Sequence, residues 1–307
     1  MKNVNNVVNN VKDLNYKLQV SFHEAKKSAS FKELSESINL SEDKLMKYTS
    51  SLEEAASEYD NCKKCKALAC CKNKVDGYCF LPQMFENMLN FSYVACRYKQ
   101  KVINENKYLD RVTLIEVPKE IKEAKMSDIY TDDENRLVVI KWLTMFIKNY
   151  KNKEAEKGMF LHGNFGCGKT YLIAAMFNEL ARYGIKSVIV YYPEYLRSLK
   201  ASFQFNASDE FNNKFNEVRK APLLLLDDLG AETTTSWSRD EILGSILQYR
   251  MQEKLPTFIT SNLDIKELET HLSVTSNKVE KLKAVRIIER IKQLTNDVQM
   301  ISKNNRN

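Results

Sequence analysis

From residue 158 onward, short runs of apolar residues alternate with longer stretches in which apolar residues recur at helical spacing. The runs that predict buried strands are 159–161, 187–192, 223–226, 257–260 and 298–301. The stretches between them that predict helices are 169–183, 193–219, 239–252 and 283–295. Strands that alternate with helices form parallel sheets covered by helices on both faces. The pattern therefore predicts an α/β fold class with a five-stranded parallel sheet.

The first half of the chain has a different pattern. Of the eight glycines, Gly77 alone lies before this α/β region, so we expect many helices and few tight turns. Between residues 31 and 60 the apolar spacing is typical of one or two amphipathic helices, with Ser41 as the N-cap that divides them. Residues 100–127 are mostly polar. We predict an N-terminal domain over residues 1–105, a linker over 106–127 and the α/β domain over 128–307.

Composition narrows the class of protein. The chain has 307 residues, of which 43% are hydrophobic and 28% are charged, as in globular proteins. No stretch reaches the ~18 uncharged apolar residues of a membrane span, and the N-terminus lacks the apolar segment of a signal peptide. We therefore expect a cytoplasmic protein whose seven cysteines are thiols or metal ligands rather than disulfides. The net charge of +7 is spread over both halves and does not by itself indicate nucleic-acid binding.

A phosphate-binding motif follows the first predicted strand of the α/β domain. It consists of Gly163, Asn164, Phe165, Gly166, Cys167, Gly168, Lys169 and Thr170. This is the G-x-x-x-x-G-K-[ST] pattern, and it lies between a predicted strand and a predicted helix, as the motif requires. Glycines allow backbone N–H groups to close around phosphate oxygens at a helix N-terminus. We expect Lys169 to reach the β- and γ-phosphates of a nucleotide and the Thr170 hydroxyl to bind Mg²⁺.

Polar residues also end two later predicted strands. Four leucines at 223–226 are followed by Asp227 and Asp228. Two acids at a strand end suit hydrolysis, because Asp227 can bind Mg²⁺ while Asp228 polarises the attacking water. Asn262 follows the next strand and is expected to orient that water between Asp228 and the γ-phosphate. The carboxyl ends of parallel strands meet at the edge where α/β proteins bind ligands.

Five of the seven cysteines lie between residues 62 and 79. Cys62 and Cys65 have the C-x-x-C spacing of half a zinc site. A tetrahedral site needs two more ligands, and the available cysteines are Cys70, Cys71, Cys79 and Cys96. Adjacent cysteines rarely bind the same ion, so Cys70 and Cys71 are not expected to act together. A set of reduced cytosolic thiols is the alternative.

Taken in chain order, these motifs resemble those of AAA+ ATPases and, among them, the bacterial replicative helicase loaders of the DnaC/DnaI group. The resemblance is carried by residues 163–170, 192–194, 226–232, 235–237, 239–241, 248–251 and 255–258. The run Asp-Asp-Leu-Gly-Ala-Glu at 227–232, followed by Ser-Trp at 236–237, is far more specific than the phosphate motif alone.

The resemblance implies an AAA+ P-loop domain that binds and hydrolyses ATP with Mg²⁺, preceded by a mainly helical zinc-binding domain that holds the helicase. It also implies ATP-dependent loading of a DnaB-type ring helicase onto single-stranded DNA, at the initiation or restart of DNA replication. Self-association on ATP and contacts with other primosome proteins are further implications. A transposition-helper AAA+ ATPase of the insertion-sequence type is the alternative, although the cysteine-containing domain disfavours it. A scaffold that binds nucleotide without hydrolysis is disfavoured by Lys169, Asp227 and Asp228.

The resemblance assigns the zinc ligands as Cys62, Cys65, Cys79 and Cys96. In this family the ligands stand in a C-x-x-C, after a Gly-Tyr pair and at a more distant cysteine. The ligand after Gly-Tyr is often histidine in the family and is Cys79 here, a change that zinc tolerates. Cys70 is the leading substitute.

Two further sets of residues follow from the resemblance. Arg290, with Arg286 as second choice, is expected to be an arginine finger that acts on a neighbouring subunit's γ-phosphate. A basic helix face is the alternative. Lys200 and Phe203 lie in a region that resembles a DNA-contacting helix of initiator proteins, so we expect Lys200 to bind a phosphate and Phe203 to stack on a base. The spacing of Leu196, Leu199 and Phe203 equally suits a core stripe.

Overall fold

The structure is a computed structural model that describes residues 4–304 except 87, 132, 155–156, 205–207, 274 and 276. For residues 4–14, 203, 204 and 208 it describes the backbone alone. The chain divides into two compact units, Met1–Lys107 and Tyr108–Asn307.

The first unit combines helices with a β-hairpin. Its elements are α1 (Val4–Ala25), α2 (Ala29–Ser37), α3 (Glu42–Leu45), α4 (Thr49–Lys64), β1 (Tyr78–Phe85), β2 (Met88–Ala95) and α5 (Arg97–Asn106), with 3₁₀ turns at Met46–Tyr48 and Leu68–Cys70. Ser41 precedes α3, as its predicted N-cap position requires. The core forms where Phe22, Phe31 and Leu52 are buried between α1, α2 and α4.

The antiparallel hairpin of β1 and β2 is an element that the sequence analysis missed. Pro82 lies within β1, opposite Phe91 of β2. Proline has no N–H to donate to a ladder and is tolerated where a strand edge is open. In a two-stranded hairpin each strand has one open edge, so β1 can contain a proline. The proline nevertheless removes the usual sequence signal of a strand.

The second unit is the α/β part of the chain. Its elements are β3 (Val112–Ile115), α6 (Glu134–Lys151), β4 (Gly158–His162), α7 (Lys169–Arg182), β5 (Ser187–Tyr191), α8 (Tyr192–Gln204), α9 (Ser208–Lys220), β6 (Leu223–Asp227), a π-helical turn (Trp237–Leu243) that continues into α10 (Gly244–Gln252), β7 (Thr257–Ser261), α11 (Ile265–Leu272), α12 (Lys278–Leu294) and β8 (Thr295–Gln299). Short 3₁₀ turns lie at Lys107–Arg111, Lys119–Glu123 and Met126–Asp128.

In the described residues the parallel sheet has six strands, in the order β3-β5-β6-β7-β4-β8. The prediction of five strands was therefore wrong. The additional strand is β3, which lies in the polar segment 106–127 that the sequence predicts to be a linker. It is a four-residue strand at the edge of the sheet, so it needs no long apolar run. The predicted strand at 298–301 is instead β8, a polar edge strand that begins at Thr295.

Burial on both faces explains the strands that the sequence predicts best. Every residue of β4, β6 and β7 is buried, because helices pack on both sides of the sheet. Residues of α8, α10 and α12 cover one face, and residues of α6 and α7 cover the other. The strands β6, β7 and β4 are neighbours, so their carboxyl ends meet at one edge of the sheet. None of the described helices is both long and apolar enough to span a membrane.

Candidate functional site

The phosphate-binding motif forms the loop between β4 and α7, as predicted. Gly166 and Gly168 have φ angles of 73° and 90°, in the left-handed region that favours glycine. The helix α7 begins at Lys169, directly after the loop. Cys167 is buried, whereas Asn164 and Phe165 are exposed. The loop therefore presents backbone N–H groups at a helix N-terminus, which is an anion-binding arrangement.

Lys169 lies inside this loop and is 8% exposed. Its Nζ donates to the carbonyl oxygens of Gly163 at 2.8 Å and Asn164 at 2.9 Å. It also donates to Asn262 Oδ1 at 2.8 Å. A phosphate that reached Lys169 would replace carbonyl acceptors with a negatively charged one, and charge-assisted hydrogen bonds are the stronger kind.

Asp227 is the centre of a buried cluster of hydroxyl groups. Its Oδ1 accepts hydrogen bonds from Thr170 Oγ1 at 2.5 Å and Thr260 Oγ1 at 2.6 Å. Burial raises the pKa of the Asp227 carboxyl, and the two hydroxyl donors partly oppose that change. A carboxylate and a hydroxyl oxygen are the ligands that Mg²⁺ prefers, so Asp227 and Thr170 fit the predicted cation.

Asn262 joins the remaining predicted residues. Its Nδ2 donates to Asp228 Oδ1 at 2.8 Å, while its Oδ1 accepts from Lys169. Asp228 has a φ of 59°, which is unusual for a residue other than glycine, and its N–H donates to Thr260 Oγ1 at 2.9 Å. The structure thus brings together Lys169, Thr170, Asp227, Asp228 and Asn262.

Two residues of this site were missed by the sequence analysis. Thr260 bonds to both acids from the neighbouring strand β7. Arg136, on α6, is 4% exposed and donates to the carbonyl oxygens of Cys167 at 2.5 Å and Tyr130 at 3.3 Å. A polar residue within the apolar run 257–260 was the available signal for Thr260. Nothing in the local sequence around Arg136 points to a partner 31 residues away.

The two arginine candidates differ in their surroundings. Arg290 Nη1 donates to the Gly244 carbonyl oxygen at 3.0 Å, at the junction of the π-helical turn and α10. Arg286, one turn earlier on α12, is exposed. Arg306, the one arginine that follows Arg290 in the sequence, lies outside the described residues.

The candidate DNA-contacting residues lie on α8. Lys200 is exposed, whereas Leu196 and Leu199 are buried in the core of the second unit. The side chain of Phe203 lies outside the described residues. Lys200 is therefore accessible to a ligand, and the two leucines have the core role that was the alternative.

The cysteines of the first unit gather around a cavity of about 370 Å³. Five of them line it, namely Cys62, Cys65, Cys71, Cys79 and Cys96. Cys70, the leading substitute, is exposed and is not among them. Burial and, to a smaller extent, the nearby Cys62 thiol raise the pKa of Cys79 to about 12. Across the described parts of the chain, no three His, Cys, Asp or Glu side chains stand in an arrangement that would hold a metal ion.

A buried acid fixes the backbone around this cavity. Glu58, on α4 and 4% exposed, accepts hydrogen bonds from the N–H groups of Phe80 at 2.7 Å and Lys74 at 3.2 Å. These bonds hold β1, which carries Cys79, against the helix that carries Cys62. Asn73 Nδ2 donates to Cys62 Sγ at 3.2 Å, and the Gly77 N–H donates to Cys71 Sγ at 3.3 Å. The sulfur atoms of two cysteines that line the cavity therefore accept hydrogen bonds from neighbouring N–H groups.

The Thr260 hydroxyl should control how well the site binds Mg²⁺. In Thr260→Val the shape is kept, but Asp227 loses a donor and the Asp228 N–H loses its acceptor. We expect the Mg²⁺ concentration that half-saturates nucleotide binding to rise about tenfold, the effect of losing one hydrogen bond to a charged group. A Mg²⁺ titration with a fluorescent nucleotide measures it. Thr260→Ser keeps the hydroxyl and is the control; equal losses in both variants would contradict the assignment.

Comparisons with known proteins agree with this geometry. The family described as IstB-like ATP binding protein matches residues 131–300. The replicative helicase loader DnaI of Bacillus subtilis (strain 168) is 36% identical over 258 residues, which cover 83% of this chain and 81% of DnaI. The replicative helicase loader DnaC of Escherichia coli (strain K12) is 27% identical over 106 residues, or 34% of this chain and 42% of DnaC.

A solved structure gives the same result. A crystal structure of DnaI has 43% sequence identity and a TM-score of 0.58, and the match covers 65% of this chain and all of that one. The DnaI sequence match is longer than the segment 131–300 that the IstB-like family matches, so it reaches into residues that precede that segment. The chain therefore belongs to the DnaC/DnaI family of replicative helicase loaders and carries an ATP-binding domain of the IstB-like type.

Proposed function

We propose that this protein loads a DnaB-type ring helicase onto single-stranded DNA, at the initiation or restart of replication, under the control of ATP. The observation that carries the proposal is the DnaI match, which spans 83% of the chain and includes most of its relative. A shared ATP-binding domain alone would also suit a transposition helper of the insertion-sequence type. A match that extends past that domain favours a loader.

The proposed reaction is the hydrolysis of ATP to ADP and phosphate. Bound Mg²⁺–ATP supplies the phosphoanhydride bond and the cation that shields its charge. Lys169 would leave the loop carbonyls and bind phosphate oxygens, while Asp227 and Thr170 would hold the cation. Asp228 would take the proton of the attacking water, and Asn262, hydrogen-bonded to Asp228, would orient that water.

An arginine from a neighbouring subunit would complete the site, with self-association on ATP as its condition. Arg290 can act in this way only if it releases the Gly244 carbonyl oxygen. Arg286 is already exposed on the same helix. Because the arginine comes from another copy, a single chain should turn over slowly.

A complex with the protein's own replicative helicase tests the loader function. We expect native mass measurements to show a defined complex with the full chain. A variant lacking residues 1–107 should lose that complex, because the first unit is proposed to hold the helicase. Lys169→Ala removes the ammonium group that is proposed to bind phosphate. This variant should still form the complex, but the native mass of the complex should not respond to ATP.

The truncated variant needs its own control, since loss of a complex could reflect loss of fold. Its nucleotide affinity should equal that of the full chain, because the whole α/β unit is retained. A full chain that forms no complex, with or without ATP, would rule out the loader function and favour the transposition helper.

We further propose that the first unit binds Zn²⁺ through Cys62, Cys65, Cys79 and Cys96. All four line the same cavity, and thiols are preferred zinc ligands. The four side chains would have to move into a tetrahedral arrangement on binding, because the described residues do not already have one. Bound zinc would keep these cysteines as thiolates. Without a metal, burial favours the protonated thiol, as the raised pKa of Cys79 indicates. The pairing of α4 with β1 through Glu58 would carry two of the ligands.

The zinc content of purified variants tests this assignment. Cys62→Ser should reduce bound zinc from about one ion per chain to a small fraction, because one of four ligands is lost. Cys70→Ser changes an exposed thiol outside the cavity and should keep the full zinc content. Unchanged zinc in Cys62→Ser would remove that residue from the site.

Single-stranded DNA is a further proposed ligand, and Lys200 is its proposed phosphate contact. Lys200→Ala should weaken DNA binding several-fold at low salt and lower the slope of log affinity against log salt by about 0.7, since one phosphate contact is lost. Lys254→Ala, an exposed lysine just before β7, lies at the amino end of the strands and should change neither. Unaltered affinity in Lys200→Ala would contradict the contact.

A further inference from the structure

The chain that follows β8 runs directly along the phosphate-binding loop. The Met300 N–H donates to the His162 carbonyl oxygen at 2.8 Å, and the Met300 side chain is fully buried. Its carbonyl oxygen lies so close to Gly163 that a Cβ at that glycine would stand 1.9 Å from it. The first glycine of the loop is therefore required by the chain that passes over it, and not by the loop alone.

Asn164 pairs with the backbone of Ser302 in the manner of a neighbouring strand. Its Nδ2 donates to the Ser302 carbonyl oxygen at 2.7 Å, and its Oδ1 accepts from the Ser302 N–H at 3.0 Å. Two residues later, the Asn304 carboxamide lies against Gly166, where a Cβ would meet its Oδ1 at 1.9 Å. Three of the first four loop residues thus contact residues 300–304.

The other side of this segment is fixed to the start of α6. Asn135 Nδ2 donates to the Ile301 carbonyl oxygen at 3.0 Å. The Ser302 hydroxyl donates to the Asp133 side chain and is the main cause of the lowered pKa of that carboxyl. The same helix carries Arg136, which binds the Cys167 carbonyl oxygen. The loop is therefore held from α6 both directly and through residues 300–304.

We propose that residues 300–304 form a strap that positions the phosphate-binding loop for nucleotide phosphates, and that Asn164 is the positioning residue through which the strap acts. The proposal rests on the nucleotide-binding role proposed above. A loop rich in glycine loses much conformational freedom when it closes around phosphate. Contacts that already hold its shape lower this entropic cost and raise affinity. Asn304 is exposed and lies against the loop at Gly166.

Binding of Mg²⁺–ATP and of Mg²⁺–tripolyphosphate to the full chain and its variants tests the strap. Asn164→Ala removes both hydrogen bonds to Ser302 and keeps the loop backbone. A second variant ends the chain at Ile301 and removes the partner instead. Each should raise the Kd of both ligands about tenfold or more, as the loss of one or two hydrogen bonds predicts. Asn296→Ala, an exposed asparagine on β8, is the matched control and should leave both Kd values unchanged.

Tripolyphosphate separates positioning of the loop from contact with the base or ribose. Equal losses for both ligands support the strap. Weaker binding of ATP alone would overturn it, because the segment would then contact the nucleoside. Unchanged or tighter binding in both variants would overturn it as well. A wild-type chain that binds neither ligand would overturn the strap together with the ATPase proposal, whereas wild-type binding with unaffected variants overturns the strap alone. Failure of helicase binding leaves this result standing.

Discussion

The site depends on a carboxylate that has been taken out of water at the end of a fully buried strand. Asp227 is 8% exposed, and a buried charge without partners is strongly unfavourable. Two hydroxyl groups donate hydrogen bonds to this carboxylate, one from Thr170 on α7 and one from Thr260 on β7. The phosphate loop, the acid strand and the strand of Asn262 are thereby joined at one point. Because each partner comes from a different element, the site forms only when the sheet order β6-β7-β4 is correct.

The first unit is organised around a comparable constraint. Glu58 is buried on α4, and its carboxylate is satisfied by backbone N–H groups from β1 and the preceding segment. This fixes a short hairpin that would be marginal in isolation against a helix. The five cysteines around the cavity then lie on four pieces of chain, namely the end of α4, the segment after it, β1 and the residue after β2. In each unit a buried acid therefore joins segments that are distant in the sequence, although the chemistry beside each acid differs.

Much of the α/β fold could be predicted because its central strands are buried on both faces and read as uninterrupted apolar runs. The edge strand β3 has only four residues, and the edge strand β8 carries exposed polar residues, so neither has a long apolar run. The strand count was wrong because β3 was missed. The site residues at strand ends or within the phosphate motif can be located from the sequence, because the apolar runs and the motif mark their positions. Arg136, Thr260 and Ser302 cannot be located in this way, since each acts through a partner that only the tertiary fold supplies. The separation of Asn164 from Ser302 is 138 residues, beyond the reach of any local pattern.

An ammonium group has three protons to donate, and in Lys169 three oxygen acceptors already receive them. An incoming ligand therefore exchanges existing bonds for new ones rather than adding bonds to an unsatisfied cation. The number of hydrogen bonds hardly changes in such an exchange, so the net gain must come from the ligand's negative charge. An uncharged molecule would only replace one neutral acceptor with another and would gain little. The resting position of this one side chain thus favours a polyanion over a neutral molecule that would displace the same carbonyl oxygens.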